Sequence, residues 1–123
     1  MKKRLLTYLF AALFTPLALA DIHIGVSIAQ VDDVFLAQMR DYMAAHAKDL
    51  PGVTLQFEDA QGDVVRQLNQ VQNFTAQGMD AIIVNPGDAE ALRLPLEDAV
   101  AAGIVVVSID QEIDGEGITN VVI

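Results

Sequence analysis

Two runs in this chain, Ala81-Ile82-Ile83-Val84 and Ile104 to Ile109, do not alternate between apolar and polar residues as a strand with one wet face would. Strands that are apolar on both faces belong in the middle of a sheet covered on both sides. Ile22 to Ile28 reads the same way, and stretches with helical spacing separate these runs. Buried strands alternating with helices leave little besides a parallel sheet, because right-handed crossovers place helices on its two faces. The expected fold class is therefore α/β, a doubly wound parallel sheet with flavodoxin-like strand order.

The elements follow in turn. Leu36, Met39, Met43, Ala47 and Leu50 recur at near-helical spacing, which predicts a helix from about Asp33 to Lys48, stopped by Pro51-Gly52. Val53, Leu55 and Phe57 alternate with Thr54, Gln56 and Glu58, the pattern of a sheet-edge strand. Asp63 is placed to cap a second helix with Val64, Leu68, Val71 and Phe74 on one face, and Gly78 to close it in a left-handed turn. Asp88 opens a third helix that ends at Gly103. Pro95 inside it removes one backbone donor and predicts a kink or a restart. Ile118 to Ile123 reads as a fifth strand, giving the order βαβαβαββ.

Residues 1–20 are set apart from this pattern. MKKR is a basic start, Leu5 to Phe14 an apolar stretch, and Ala18-Leu19-Ala20 has small residues where a signal peptidase reads. This predicts a cleaved signal peptide over residues 1–20, a mature domain over 21–123 and a periplasmic location, with no membrane insertion after cleavage. Cysteine is absent, so neither a lipid anchor on cysteine nor a disulfide framework is available. Cleavage removes Lys2, Lys3 and Arg4 and takes the formal charge from -10 to -13, three cations fewer. A surface this acidic repels phosphate backbones and anionic lipids, which excludes nucleic acid as a partner.

In an open parallel sheet ligands bind beyond the carboxyl ends of the strands. The loops there are Ala29 to Asp33, Asp59 to Asp63, Asn85 to Asp88 and Asp110 to Gly117. They carry no glycine fingerprint and no phosphate-loop lysine, so no nucleotide cofactor is expected. A phospho-acceptor domain needs a carboxylate after the third strand, where Asn85 stands. Hydrolysis needs an activated nucleophile beside a base, and Ser27, Ser108, His23 and His46 provide no such pairing, so no enzymatic activity is expected. Asp110, Glu112, Asp114 and Gly115 imitate the opening of a calcium loop, but Val121 occupies the place of its bidentate Glu. A solvated acidic turn is the better reading.

What remains is a polar and aromatic group at strand ends. Asp32 and Asp33 can accept hydroxyl hydrogen bonds, Phe35 can cover an apolar ring face, and Asp110 with Gln111 can approach from another strand. That combination suits a monosaccharide or cyclic polyol, whose faces are apolar and whose rim is donors. The competing roles are a helix cap for Asp33 and a core position for Phe35.

The stretches IGVSI, DDVF, VQNFTAQGMDAIIVNPGDAEAL and AGIVVVSIDQ together resemble the periplasmic sugar-binding proteins of the type I fold, the ribose-binding-like group. The resemblance covers nearly all of Ile22 to Ile123. It implies the substrate-binding component of an ATP-driven (ABC) sugar importer, with a membrane permease as partner and two lobes closing over one sugar. It implies that Asp33 hydrogen-bonds the sugar, that Phe35 stacks on it, that Asp110 is the acid after the fourth strand, and that Gln111 stands where an arginine is common. Gln111 lacks the guanidinium fork and Leu36 replaces a second aromatic, so a sugar other than ribose or an inositol-like polyol fits as well. Family members are more than twice as long, so the chain is expected to hold only the first part of lobe one, a fragment. A sugar-sensing protein for a chemoreceptor or kinase is the alternative. A repressor's effector domain would need a DNA-binding helix pair where the signal peptide stands.

Overall fold

The computed structural model describes residues 20–123, so all of the expected signal peptide except Ala20 lies outside the described residues. The order is β1 (Ile22–Ile28), α1 (Val34–Ala47), β2 (Val53–Asp59), α2 (Val64–Gln77), β3 (Ala81–Asn85), α3 (Ala89–Ala101), β4 (Val105–Ile109) and β5 (Ile118–Val121). The five strands form one sheet in the order β2-β1-β3-β4-β5, every pairing parallel. This is the expected flavodoxin-like order, with β2 on an edge.

The chain steps from β1 outward to β2 and then back across β1 to β3 and β4, so right-handed crossovers put α1 on one face and α2 and α3 on the other. Side chains show the same division. A Cβ added at Gly25 would strike the Phe74 ring of α2, and the Ser27 hydroxyl bonds Gln70 of α2. The strand register places Gly25 and Ser27 on the same face as Ile82, Val84, Val106 and Ser108. Those residues are buried, and the core cluster of Val71, Phe74, Leu92, Leu96, Ala99 and Ile113 packs over them.

The opposite face is covered more thinly. Ala81, Ile83, Val107 and Ile109 are half-buried there, and Val105 is 60% exposed. Helix α1 has no fully buried residue. Its expected apolar positions Leu36, Met39, Met43 and Ala47 are half-buried, while Leu50 is exposed. Helix α1 packs against β2 at the sheet edge.

Local chemistry sets the helix ends. Asp33, Asp63 and Asp88 each cap a helix in extended backbone, their carboxylates accepting from amides two or three residues on. Gly78 closes α2 at φ 68°, a conformation that costs glycine nothing. Pro95 does not restart α3: one helix runs from Ala89 to Ala101 with the proline inside it. The ring removes one hydrogen bond, and burial of Leu92, Leu96 and Ala99 on the core side holds the flanking turns together.

The link from β4 to β5 is not merely a solvated acidic turn. Ile113, in its middle, is buried in the core cluster. The Asn120 side chain accepts from the Ile113 amide at 2.9 Å and donates to its carbonyl at 3.0 Å. Glu97 of α3 accepts from the Glu116 amide at 3.1 Å. The segment thus crosses over α3 and returns parallel to β4 without a helix of its own.

Candidate functional site

The carboxyl ends of β1 to β4 open along one edge of the sheet, and their loops build the candidate site. The β1 loop supplies Asp32 and Asp33. Asp33 Oδ1 accepts from the amides of Phe35 at 2.8 Å and Leu36 at 3.2 Å, which fixes the entry angle of α1. Its second oxygen, Oδ2, has no hydrogen-bond partner among the described residues, and the residue is exposed. The capping role is therefore real, and it leaves acceptor capacity on the same side chain. Asp32 is exposed and lines a hollow of 260 Å³ with Gln30, Val31, Asp59 and Gln61.

Phe35 lies in the first turn of α1 and is 49% exposed, so it is not a core residue. A half-exposed aromatic beside carboxylates is an apolar plate with polar edges around it. The β4 loop supplies Asp110 and Gln111. Asp110 has φ 72°, a left-handed conformation uncommon for a residue with a Cβ. Its amide donates to the Val121 carbonyl at 2.9 Å, and its carboxylate meets the Asn85 amide nitrogen at 3.4 Å. Backbone in this region concentrates at functional positions, where surrounding contacts hold it. Gln111 is exposed, and its carbonyl accepts from the Ser108 hydroxyl at 2.7 Å.

All five expected residues thus stand at one end of the sheet. Asp33, Phe35, Asp110 and Gln111 are not among the residues lining the hollow beside Asp32; Asp33, Phe35 and Gln111 are exposed and Asp110 is half-buried. Away from this edge, the pKa of one side chain is moved by its neighbours. Arg93 on α3 is raised by its hydrogen bond to Glu90, then by the charges of Glu90 and Glu97. Among the described residues no group of three or more His, Cys, Asp or Glu side chains could hold a metal ion.

Several residues at this edge were not anticipated. Asn85, at the end of β3, is buried. Its side chain reaches the Ala29 amide at 3.4 Å, the Ile109 carbonyl at 3.5 Å and Asp110 at 3.4 Å. Beneath it, Gln67 and Gln70 are buried with Ser27. The sequence held a signal for them: Gln67, Gln70, Val71 and Phe74 follow the i, i+3, i+4, i+7 spacing of one helix face. Amides on an otherwise apolar face mark buried polar partners.

Comparison with known proteins bears on the fold and the family. A family model described as a periplasmic binding protein domain matches residues 24–123. A candidate rhizopine-binding protein of Rhizobium meliloti is 44% identical over 112 residues, covering 91% of this chain and 36% of that protein. An ABC transporter solute binding protein from Bacillus halodurans, solved with bound myo-inositol, is 38% identical with a TM-score of 0.72, covering 78% of this chain and 33% of that one. A Caulobacter myo-inositol binding protein bound to myo-inositol is 30% identical with a TM-score of 0.76, covering 85% of this chain and 37% of that one. The chain therefore spans about a third of the length of the relatives it matches. With the parallel order β2-β1-β3-β4-β5 and a family match over residues 24–123, the chain belongs to the periplasmic binding proteins of the type I fold.

Proposed function

We propose that this chain supplies one wall of the ligand site in a periplasmic binding component of an ABC importer, and that the ligand is a monosaccharide or a cyclic polyol such as an inositol. The observation that carries the reading is the grouping at one sheet edge of a half-exposed aromatic, Phe35, with the carboxylates of Asp32, Asp33 and Asp110. A cyclic polyol has C–H faces that lie flat on an aromatic ring and a rim of hydroxyl donors that carboxylates accept. The two solved relatives with bound myo-inositol support this class of ligand.

The roles follow from position. Phe35 covers one face of the ring. Asp33, fixed by its own cap hydrogen bonds, accepts from one hydroxyl with the oxygen the cap does not use, and Asp32 from a neighbouring one. Asp110, held by Asn85, accepts from the opposite side of the rim, and the Gln111 amide both donates and accepts. The export segment, residues 1–20, delivers the domain to the periplasm, where a membrane permease receives the ligand. Binding and release are the whole of the chemistry, and no bond in the ligand is changed.

An exposed wall contacts its ligand on one side only, so affinity is expected to be weak, in the range of about 1 mM or about -4 kcal/mol. Calorimetry at high ligand concentration with myo-inositol, other inositols, pentoses and hexoses tests this. Saturable heat from at least one cyclic polyol, and none from acyclic or anionic compounds, is the expected result. No heat from any of them would overturn the assignment, and binding tighter than about micromolar would overturn the one-wall geometry.

A further inference from the structure

The loops of the site rest on a buried chain of hydrogen bonds that crosses beneath the whole sheet edge. Gln70 donates to the Asp59 carbonyl at the end of β2, at 3.0 Å, and accepts from the Ser27 hydroxyl of β1 at 2.8 Å. The Ser27 oxygen in turn accepts from Gln67 at 3.2 Å. The same Gln67 nitrogen donates to the Asn85 carbonyl at the end of β3, at 2.8 Å, and its oxygen accepts from the Gly87 amide at 2.8 Å. The Asn85 side chain carries the connection onward to the Ile109 carbonyl and Asp110 at the end of β4.

Four strand ends are thereby linked through four side chains, Gln67 and Gln70 of α2, Ser27 of β1 and Asn85 of β3. The central one, Gln67, is 1% exposed and has both its nitrogen and its oxygen partnered. A core meant only for stability would place an apolar residue at this point of the helix face, since a buried amide gains little net energy and is costly if any partner is lost. A fully satisfied network instead fixes one arrangement of the groups it joins. Gly87 also sits close over the Gln67 side chain: a Cβ added there would lie 3.3 Å from its Oε1.

We propose that Gln67, with Ser27 and Gln70, is a positioning crossbar: it sets the spacing of the β2 and β3 loops and, through Asn85, bears on Asp110 at the end of β4. The ligand consequence rests on the polyol reading above, whereas the effect on the loops does not. Gln67→Met keeps the length of the side chain and removes all three of its hydrogen bonds. Ser27→Ala removes the middle link and leaves Gln67 on Asn85 and Gly87, a milder change that keeps the fold.

The test combines residue-resolved amide hydrogen exchange with calorimetry using myo-inositol on the full chain. In Gln67→Met the Gly87 amide is expected to exchange at least about tenfold faster, while Val84 and Val106 in the core keep their protection. The polyol heat should weaken about tenfold in the same variant and by less in Ser27→Ala. A residue with a merely structural role would speed exchange at Gly87, Val84 and Val106 alike through global unfolding, and that result would overturn the proposal. Unchanged exchange at Gly87 in a folded Gln67→Met, or full polyol binding once Gly87 is released, would overturn it as well. If the Met variant does not fold, Ser27→Ala decides by the same local-against-global comparison at Asp59, Gln61 and Asn85. A wild-type chain that binds no polyol refutes the ligand reading alone, and the crossbar is then judged on Gly87 exchange.

Discussion

At Gly25 strand β1 lies close against α2, and replacing this glycine with alanine should damage the fold in a calculable way. The added Cβ would stand 2.5 Å from Phe74 Cγ, 2.6 Å from Cδ2 and 2.8 Å from Cδ1. Carbon atoms in ordinary contact are about 3.5–4.0 Å apart, so the ring must retreat by about 1 Å. Phe74 is 1% exposed in the core cluster with Val71, Met79 and Ile82, and the atom struck most closely, Cγ, is at the root of its ring. The retreat therefore has to carry α2 away from the sheet, which loosens the core and the Gln67–Ser27 contact together. Overpacking of this kind costs about 2 to 3 kcal/mol. With a urea dependence of about 1.5 kcal/mol/M for a domain of this size, the unfolding midpoint should fall by about 1.3 to 2 M, read by far-ultraviolet circular dichroism. Phe74→Leu placed in the Gly25→Ala background should recover at least about 1 kcal/mol relative to additivity. A midpoint shift below about 0.3 M, or strict additivity of the two changes, would refute the close-approach reasoning.

Other perturbations separate stability from binding. Phe35→Ala should leave the unfolding free energy nearly unchanged, within about 0.5 kcal/mol, because the ring is half exposed, and should weaken polyol binding at least about tenfold by calorimetry. Asp33→Ala should cost about 1 kcal/mol of stability through the lost cap, whereas Asp33→Ser should keep the cap and lose only the polyol heat. Asp110→Gly should hold the left-handed backbone with stability within about 1 kcal/mol of the parent while reducing polyol heat at least about tenfold; unchanged binding would remove Asp110 from the site. The thinly covered sheet face around Val105 should bind a hydrophobic dye in the folded state, and Val105→Lys should reduce that fluorescence without lowering the unfolding free energy by more than about 0.5 kcal/mol.

The sheet and its helices were legible because each depends on local pattern. Ile82 and Val84 on one face and Ile83 on the other declare a central strand, and Asp33, Asp63 and Asp88 stand where caps are needed. Gly78 likewise announces its own left-handed turn. What stayed hidden depends on contacts between distant parts of the chain. Nothing in the stretch Asp110 to Gly117 shows that Ile113 will be buried under α3, since the acidic residues around it dominate the local composition. Pro95 looked like a helix break because its cost is local, while the packing of Leu92 and Leu96 that outweighs it is tertiary. The candidate site divides the same way. Asp32, Asp33, Phe35, Asp110 and Gln111 could be picked out as strand-end residues, but Asn85, Gln67 and Gln70, the groups beneath them, are meaningful only once four strand ends lie side by side.

The central claim is that the carboxyl edge of this sheet is one wall of a cyclic-polyol site. The most direct test is a titration of the isotopically labelled chain with myo-inositol, followed by residue-resolved nuclear magnetic resonance. Saturable shifts are predicted for the amides of Asp32, Asp33, Phe35, Asp110 and Gln111, with smaller ones at Asn85 and Gly87 and none at the amino ends of the strands, such as Ile22 and Ala81. Shifts confined to another surface, or none at ligand concentrations well above about 1 mM, would contradict the account.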